Sequence, residues 1–223
     1  REHFTHEGFG HDVFRKGGGP AVLVITEVPG ISPMVLGFAD RVAAMGCTAV
    51  LPSVFGIPGR EPAPGGRPDG LYGFRTFVEV CVSREFSLFA AGRSSPIVSW
   101  LRALAAKEHD RCGGPGVGVV GMCLTGGFAL AMASDPRVLA PVLSQPSLPL
   151  ALTARQKASI DCDGATLDAV AQRCAREGLR VLGLRFEGDR FVPAERFAFL
   201  RERLGDGFVA VELAQADGHP NGP

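Results

Sequence analysis

Residues 116–133, GVGVVGMCLTGGFALAMA, place a cysteine where one apolar run meets a pair of glycines and a second apolar run. A thiol at such a junction can act as a nucleophile. In a G-x-S-x-G elbow the nucleophile sits on a strained turn between strand and helix. Its side chain is exposed, and the following backbone N–H faces a developing oxyanion. Gly121-Met122-Cys123-Leu124-Thr125-Gly126-Gly127 keeps the first glycine of that pattern, displaces the second by one position and has cysteine for serine. Glycine suits both flanks because it has no Cβ to collide where strand and helix pass. Gly116, Gly118 and Gly121 also satisfy G-x-G-x-x-G, the fingerprint of a dinucleotide site. In that motif the glycines follow the strand, and an acid comes about 20 residues later. Here the first two glycines fall within the strand-like run of residues 116–120, and the next acid, Asp135, comes too soon and directly precedes Pro136. The nucleophile is favoured. A buried, unreactive cysteine is the simpler alternative.

A thiol nucleophile needs a base, and the base needs a group to orient it. Two further strand-like runs end in residues that fit these roles. Val181–Phe186 leads into Glu187-Gly188-Asp189, and Phe208–Leu213 leads towards Asp217-Gly218-His219. Nucleophile, acid and histidine therefore follow one another in the chain order of the α/β-hydrolase fold. Taken alone, Asp189 reads as a turn or cap residue ahead of Pro193.

These residues carry a family resemblance. Glu27 in TEVPG, Cys123 in GMCLTGG, Asp189 in EGDRFVP and His219 in ADGHP resemble the dienelactone hydrolases, cysteine-dependent members of that fold. The matches span nearly the whole chain. Thr125 stands where the family often has glycine, which predicts a narrower space near the thiol. The resemblance implies that Cys123 is the nucleophile, His219 its base and Asp189 the residue that orients His219. It also implies that Glu27 contacts the resting thiol, and that the backbone N–H groups of Leu124 and Val28 form the oxyanion hole. Glu27 read without the resemblance is a solvated loop acid. Arg84, in CVSREF, lies near the position of an arginine that holds a substrate carboxylate in the family; otherwise it is a helix-surface arginine. The family's second such arginine would follow His219, but here Pro220-Asn221-Gly222-Pro223 follows. A diene-lactone substrate is therefore not assured.

The elements that must position these groups are legible as alternating patterns. Ala21–Thr26 and Thr48–Leu51 read as buried strands, separated by a helix that Ser32-Pro33 opens and Gly46 closes. Residues 52–70, rich in proline and glycine, read as a long loop. A helix from Leu71 follows, broken near Gly92, and Ser95-Pro96 caps another helix running to about Glu108. Next come strand Gly116–Val120, a helix Leu124–Ala133, strand Leu139–Leu143 and a helix around Leu167–Glu177. Strand Val181–Phe186, helix Pro193–Leu204 and strand Phe208–Leu213 complete the chain. The expectation is one α/β-hydrolase domain over residues 1–223, its central sheet mainly parallel with helices on both faces. In such a sheet ligands bind at the carboxyl ends of the strands, where all the candidate residues lie. The helix from Leu124 and an imidazolium at His219 would both lower the thiol pKa.

Composition narrows the partners. Lys and Arg number 23 against 23 Asp and Glu, with no long charge run, so neither nucleic acid nor an anionic membrane is expected. No apolar run reaches the roughly 18 residues of a membrane span. REHFTHEGFGHD has no signal-peptide character, and the chain reads as cytoplasmic with reduced thiols. The six cysteines contain no C-x-x-C pair, and His3, His6 and His11 read as an exposed strand or tail rather than a metal site. No cofactor is expected, and the chain reads as a monomer or homodimer. The reading that results is a hydrolase of small esters or lactones acting through a Cys-His-Asp triad. The alternatives are a non-catalytic ligand-binding or redox-sensing protein, and an acyl transferase or thioesterase on the same triad.

Overall fold

The computed structural model describes residues 1–61, 70–82 and 94–218. Eight strands form one sheet: β1 (Glu2–His6), β2 (Phe9–Gly17), β3 (Ala21–Ile25), β4 (Thr48–Pro52), β5 (Val117–Met122), β6 (Val138–Ser144), β7 (Val181–Phe186) and β8 (Phe208–Leu213). Their order is β1-β2-β4-β3-β5-β6-β7-β8. The first two pair antiparallel with each other, and β2 pairs antiparallel with β4; from β4 to β8 all neighbours are parallel. This is the α/β architecture expected. The N-terminal histidines lie on the hairpin β1–β2, where His3 meets Asp12 and His11 packs edge-on to Trp100. No cluster of metal ligands occurs among the described residues.

Among the described residues the helices are α1 (Pro33–Ala44), α2 (Gly70–Val82), α3 (Ile97–Cys112), α4 (Gly126–Met132), α5 (Ala154–Lys157), α6 (Gly164–Glu177) and α7 (Ala194–Leu204). Successive strand residues point to opposite faces, so the apolar runs feed two cores. Leu23 and Ile25 join Trp100, Leu104, Phe128 and Phe197 on one face; Val24, Ala49 and Leu51 meet Val35 and Val42 of α1 on the other. Helices thus cover both faces, and strands buried on two sides can be branched and apolar throughout.

Some boundaries differ from expectation for local reasons. Ser95 does not cap α3; its hydroxyl donates instead to Asp161 at 2.7 Å, and the helix begins at Ile97 and continues to Cys112. Strand β5 runs two residues further than its apolar core, to Met122, in register with Ser144 of β6. Of the proline-rich loop, residues 62–69 lie outside the described residues. No described helix is long and apolar enough to cross a membrane.

Candidate active site

Cys123 stands immediately beyond β5 with a φ of +53°. A side chain in the left-handed region is uncommon and is tolerated only where its surroundings impose it. Three features impose it here. Gly121 has no Cβ, and one built there would lie 2.2 Å from the Thr125 carbonyl oxygen. The Thr125 hydroxyl donates to the Ile25 carbonyl at 2.8 Å and accepts from the Met122 N–H at 2.8 Å, tying the turn to β3. Gly126 lets the start of α4 pass within contact of Pro146. Thr125 is therefore a fully buried brace of the elbow.

The helix expected from Leu124 begins later. Cys123–Thr125 form a 3₁₀ turn and α4 starts at Gly126. The thiol is not lowered, as expected, but raised. Burial is the largest cause, and the carboxylates of Glu27 and Asp189 add to it; the Ser147 hydroxyl and the Leu124 N–H act in the opposite direction. In this resting geometry the neutral thiol is favoured.

Glu27 follows β3 with one residue between, which sets its carboxylate beside the sulfur from the neighbouring strand end. It accepts a hydrogen bond from the thiol, while burial pushes its own carboxyl above the ordinary value. It is thus not a solvated loop acid. Val28 is the next residue and packs partly against the core.

Asp189 lies just past β7, close enough to Cys123 to act on it electrostatically. Its Oδ1 accepts from the backbone N–H of Phe191 at 2.8 Å and of Val192 at 3.3 Å, so it also organises the turn into α7. The structure puts Glu27 beside Cys123 at the neighbouring ends of β3 and β5, and Asp189 on the same edge of the sheet, past β7, with β6 between. His219 and Arg84 lie outside the described residues.

Two contributors carry no sequence motif. Ser147 is buried, its Oγ 3.2 Å from the Cys123 sulfur, and its backbone N–H donates to the Cys123 carbonyl at 2.9 Å. Arg196 of α7 is fully buried and donates to the carbonyls of Pro146, Pro149, Gln156, Ser159 and Phe191. Burial lowers its pKa to about 10, against the attraction of Asp189. Between the loop after β4 and α2 lies a cavity of about 420 Å³, lined in part by Arg60, Tyr72 and Arg75. The Arg60 guanidinium stacks 3.9 Å above the Tyr72 ring, whose hydroxyl accepts from the Ile57 N–H and reaches the Pro29 carbonyl.

A model of the dienelactone hydrolase family matches residues 13–182. The chain belongs to the dienelactone hydrolase family. No curated protein matches the sequence significantly. Among solved structures the fold is similar to a dienelactone hydrolase-like promiscuous phosphotriesterase from metagenomic libraries, at 16% identity and TM-score 0.59, over 96% of this chain and 80% of that one. It is similar also to Est1E from Butyrivibrio proteoclasticus, at 12% identity and TM-score 0.59, over 96% and 88% of the two chains. A thioesterase domain from the curacin biosynthetic pathway gives 12% identity and TM-score 0.60, over 99% and 93%. At these identities the structural likeness is one of fold. Family and fold together make the protein a hydrolase of the dienelactone hydrolase type, an ester hydrolase in general terms.

Proposed function

We propose that the protein hydrolyses a small ester or lactone through a Cys123-His219-Asp189 triad and a cysteinyl acyl-enzyme. The observation that carries this reading is the elbow itself: Cys123 held in the left-handed region, its sulfur bordered by the Leu124 N–H, Glu27 and Ser147, with Asp189 acting on it electrostatically. His219 takes the thiol proton, and the sulfur attacks the acyl carbon. The carbonyl oxygen gains the charge and is met by the N–H groups of Leu124 and Val28. Collapse breaks the carbon–oxygen bond of the ester, and the imidazolium returns its proton to the departing alkoxide. Water, deprotonated by His219, then attacks the acyl carbon; the carbon–sulfur bond breaks and the thiol is restored. For a lactone, alkoxide and acid remain one molecule.

Activation must overcome the resting preference for a neutral thiol. A substrate that displaces Glu27 from the sulfur would remove the nearer negative charge and leave the thiolate–imidazolium pair favoured.

The test is turnover of a panel of lactones and aryl esters by wild type beside Cys123→Ala and His219→Ala. Each variant is expected to lose roughly a thousandfold or more, because triad members act as a unit. Mass spectrometry of the quenched reaction should find the acyl group on Cys123. Turnover retained in either variant overturns the mechanism. No turnover by wild type, with a thiol that oxidises reversibly, favours the sensor reading. Product formed only with an added thiol or alcohol acceptor favours transfer.

A further inference from the structure

We propose that Ser147 is a further catalytic residue: its hydroxyl donates a hydrogen bond to the Cys123 sulfur and sustains the thiolate, on a loop that Arg196 fixes in place. This rests on Cys123 being the nucleophile. The geometry argues it from three sides. First, the Sγ–Oγ separation is 3.2 Å, a short contact for sulfur, and the Ser147 side chain is shut off from solvent. Second, either atom of this pair could donate while the thiol is neutral, and once it ionises only the Ser147 hydroxyl can. It then points its proton at sulfur alongside the Leu124 N–H. When the thiol ionises, the contact with Glu27 turns repulsive, whereas both donors gain strength because hydrogen bonds to an ionised acceptor are roughly twice as strong.

Third, the loop is held so that the hydroxyl cannot drift. The Ser147 N–H is bound to the Cys123 carbonyl, so nucleophile and donor share a backbone link. On either side, the carbonyls of Pro146 and Pro149 accept from Arg196 at 2.7 and 2.6 Å. The same guanidinium reaches the Phe191 carbonyl, two residues past Asp189. A single buried cation thus fixes the loop that carries the sulfur's donor and the turn that carries Asp189. Burial of an arginine without a carboxylate salt bridge among the described residues is costly, and its complement of carbonyl acceptors offsets that cost. Among the described residues the charged groups acting on the sulfur are Glu27 and Asp189, and Asp189 and Arg196 attract each other.

The experiment reads the thiol directly. The pH profile of Cys123 alkylation by iodoacetamide, located by mass mapping, is measured for wild type, Ser147→Ala and Ser147→Thr without substrate. Loss of a donor to a charged acceptor should move the midpoint of Ser147→Ala up by about one to two pH units, and Thr, which keeps the hydroxyl, should restore much of it. In ester assays kcat should fall in Ser147→Ala with KM little changed. An unmoved alkylation midpoint overturns the proposal whatever the ester assay gives. A moved midpoint in a protein that turns over no ester sinks the acyl-enzyme reading and leaves Ser147 as the donor to the thiolate.

Discussion

At the scale of single residues the resting site is a thiol held back by carboxylates. Glu27 accepts its proton, and burial makes both groups reluctant to ionise. Glu27→Gln keeps size and hydrogen bonding but removes the charge, so the thiol pKa should fall. The expected result is alkylation of substrate-free Cys123 roughly tenfold faster near neutral pH, equivalent to about one pH unit, with greater sensitivity to oxidation. Superimposable rate–pH curves for the two proteins would leave Glu27 without a role at the sulfur. Glu27, Cys123 and Asp189 were legible in the sequence because each follows a branched apolar run that can only be an inner strand. Ser147 was not. QPSLP matches no motif, and its meaning depends on β6 lying beside β5 in the register that aligns Met122 with Ser144. Arg196 was hidden for a related reason: an arginine on a helix reads as a surface residue until its five carbonyl partners are in place.

At the scale of elements, the elbow works because β5, the 3₁₀ turn and α4 approach more closely than side chains allow. A methyl at position 121 would meet backbone atoms of Thr125, which no rotamer change can move aside. Gly121→Ala should therefore cost about 3 kcal/mol or more and displace Cys123 from its left-handed conformation. Gly37, inside α1, has open space around its missing Cβ. Gly37→Ala should instead stabilise by about 0.5–1 kcal/mol. Urea unfolding of the two variants makes the comparison, and equal stabilities would refute the close-approach account. The inner strands were readable to within a residue or two for the same reason that they are stable: both faces are covered, so the pattern is continuous. The hairpin β1–β2 was not resolved as paired strands, since an antiparallel edge exposes one face and its histidines and charges mask the alternation. Ser95-Pro96 had the form of a helix cap, but the hydroxyl found a stronger acceptor in a distant carboxyl.

At the scale of the whole molecule, long-range polar ties close the fold around the sheet, and one of them makes stability depend on pH. Arg15 of β2 grips the fully buried Glu108 of α3 at 2.7 and 2.5 Å, locking the edge hairpin to a central helix. On the other side of the site loop, Asp161 accepts from Ser95, its backbone N–H binds the Leu148 carbonyl, and Gly127 of α4 packs against it. Its Oδ1 is buried without a partner among the described residues. Burial pushes this carboxyl from 3.8 up to about 7. Because the folded pKa lies above the unfolded one, the native state holds a proton that the unfolded chain has lost. The folded state therefore incurs no penalty from this group below about pH 4, loses stability as pH rises towards 7, and carries a constant penalty beyond. Asp161→Asn keeps the shape and the acceptor for Ser95 but cannot ionise. It should be more stable than wild type at about pH 8, by at most about 4 kcal/mol, and the difference should shrink steadily towards about pH 4. Taking the difference between the two proteins cancels the other titrating groups. Urea unfolding across that range decides it: a stability difference that does not change with pH would mean that Asp161 titrates alike in the folded and unfolded chain.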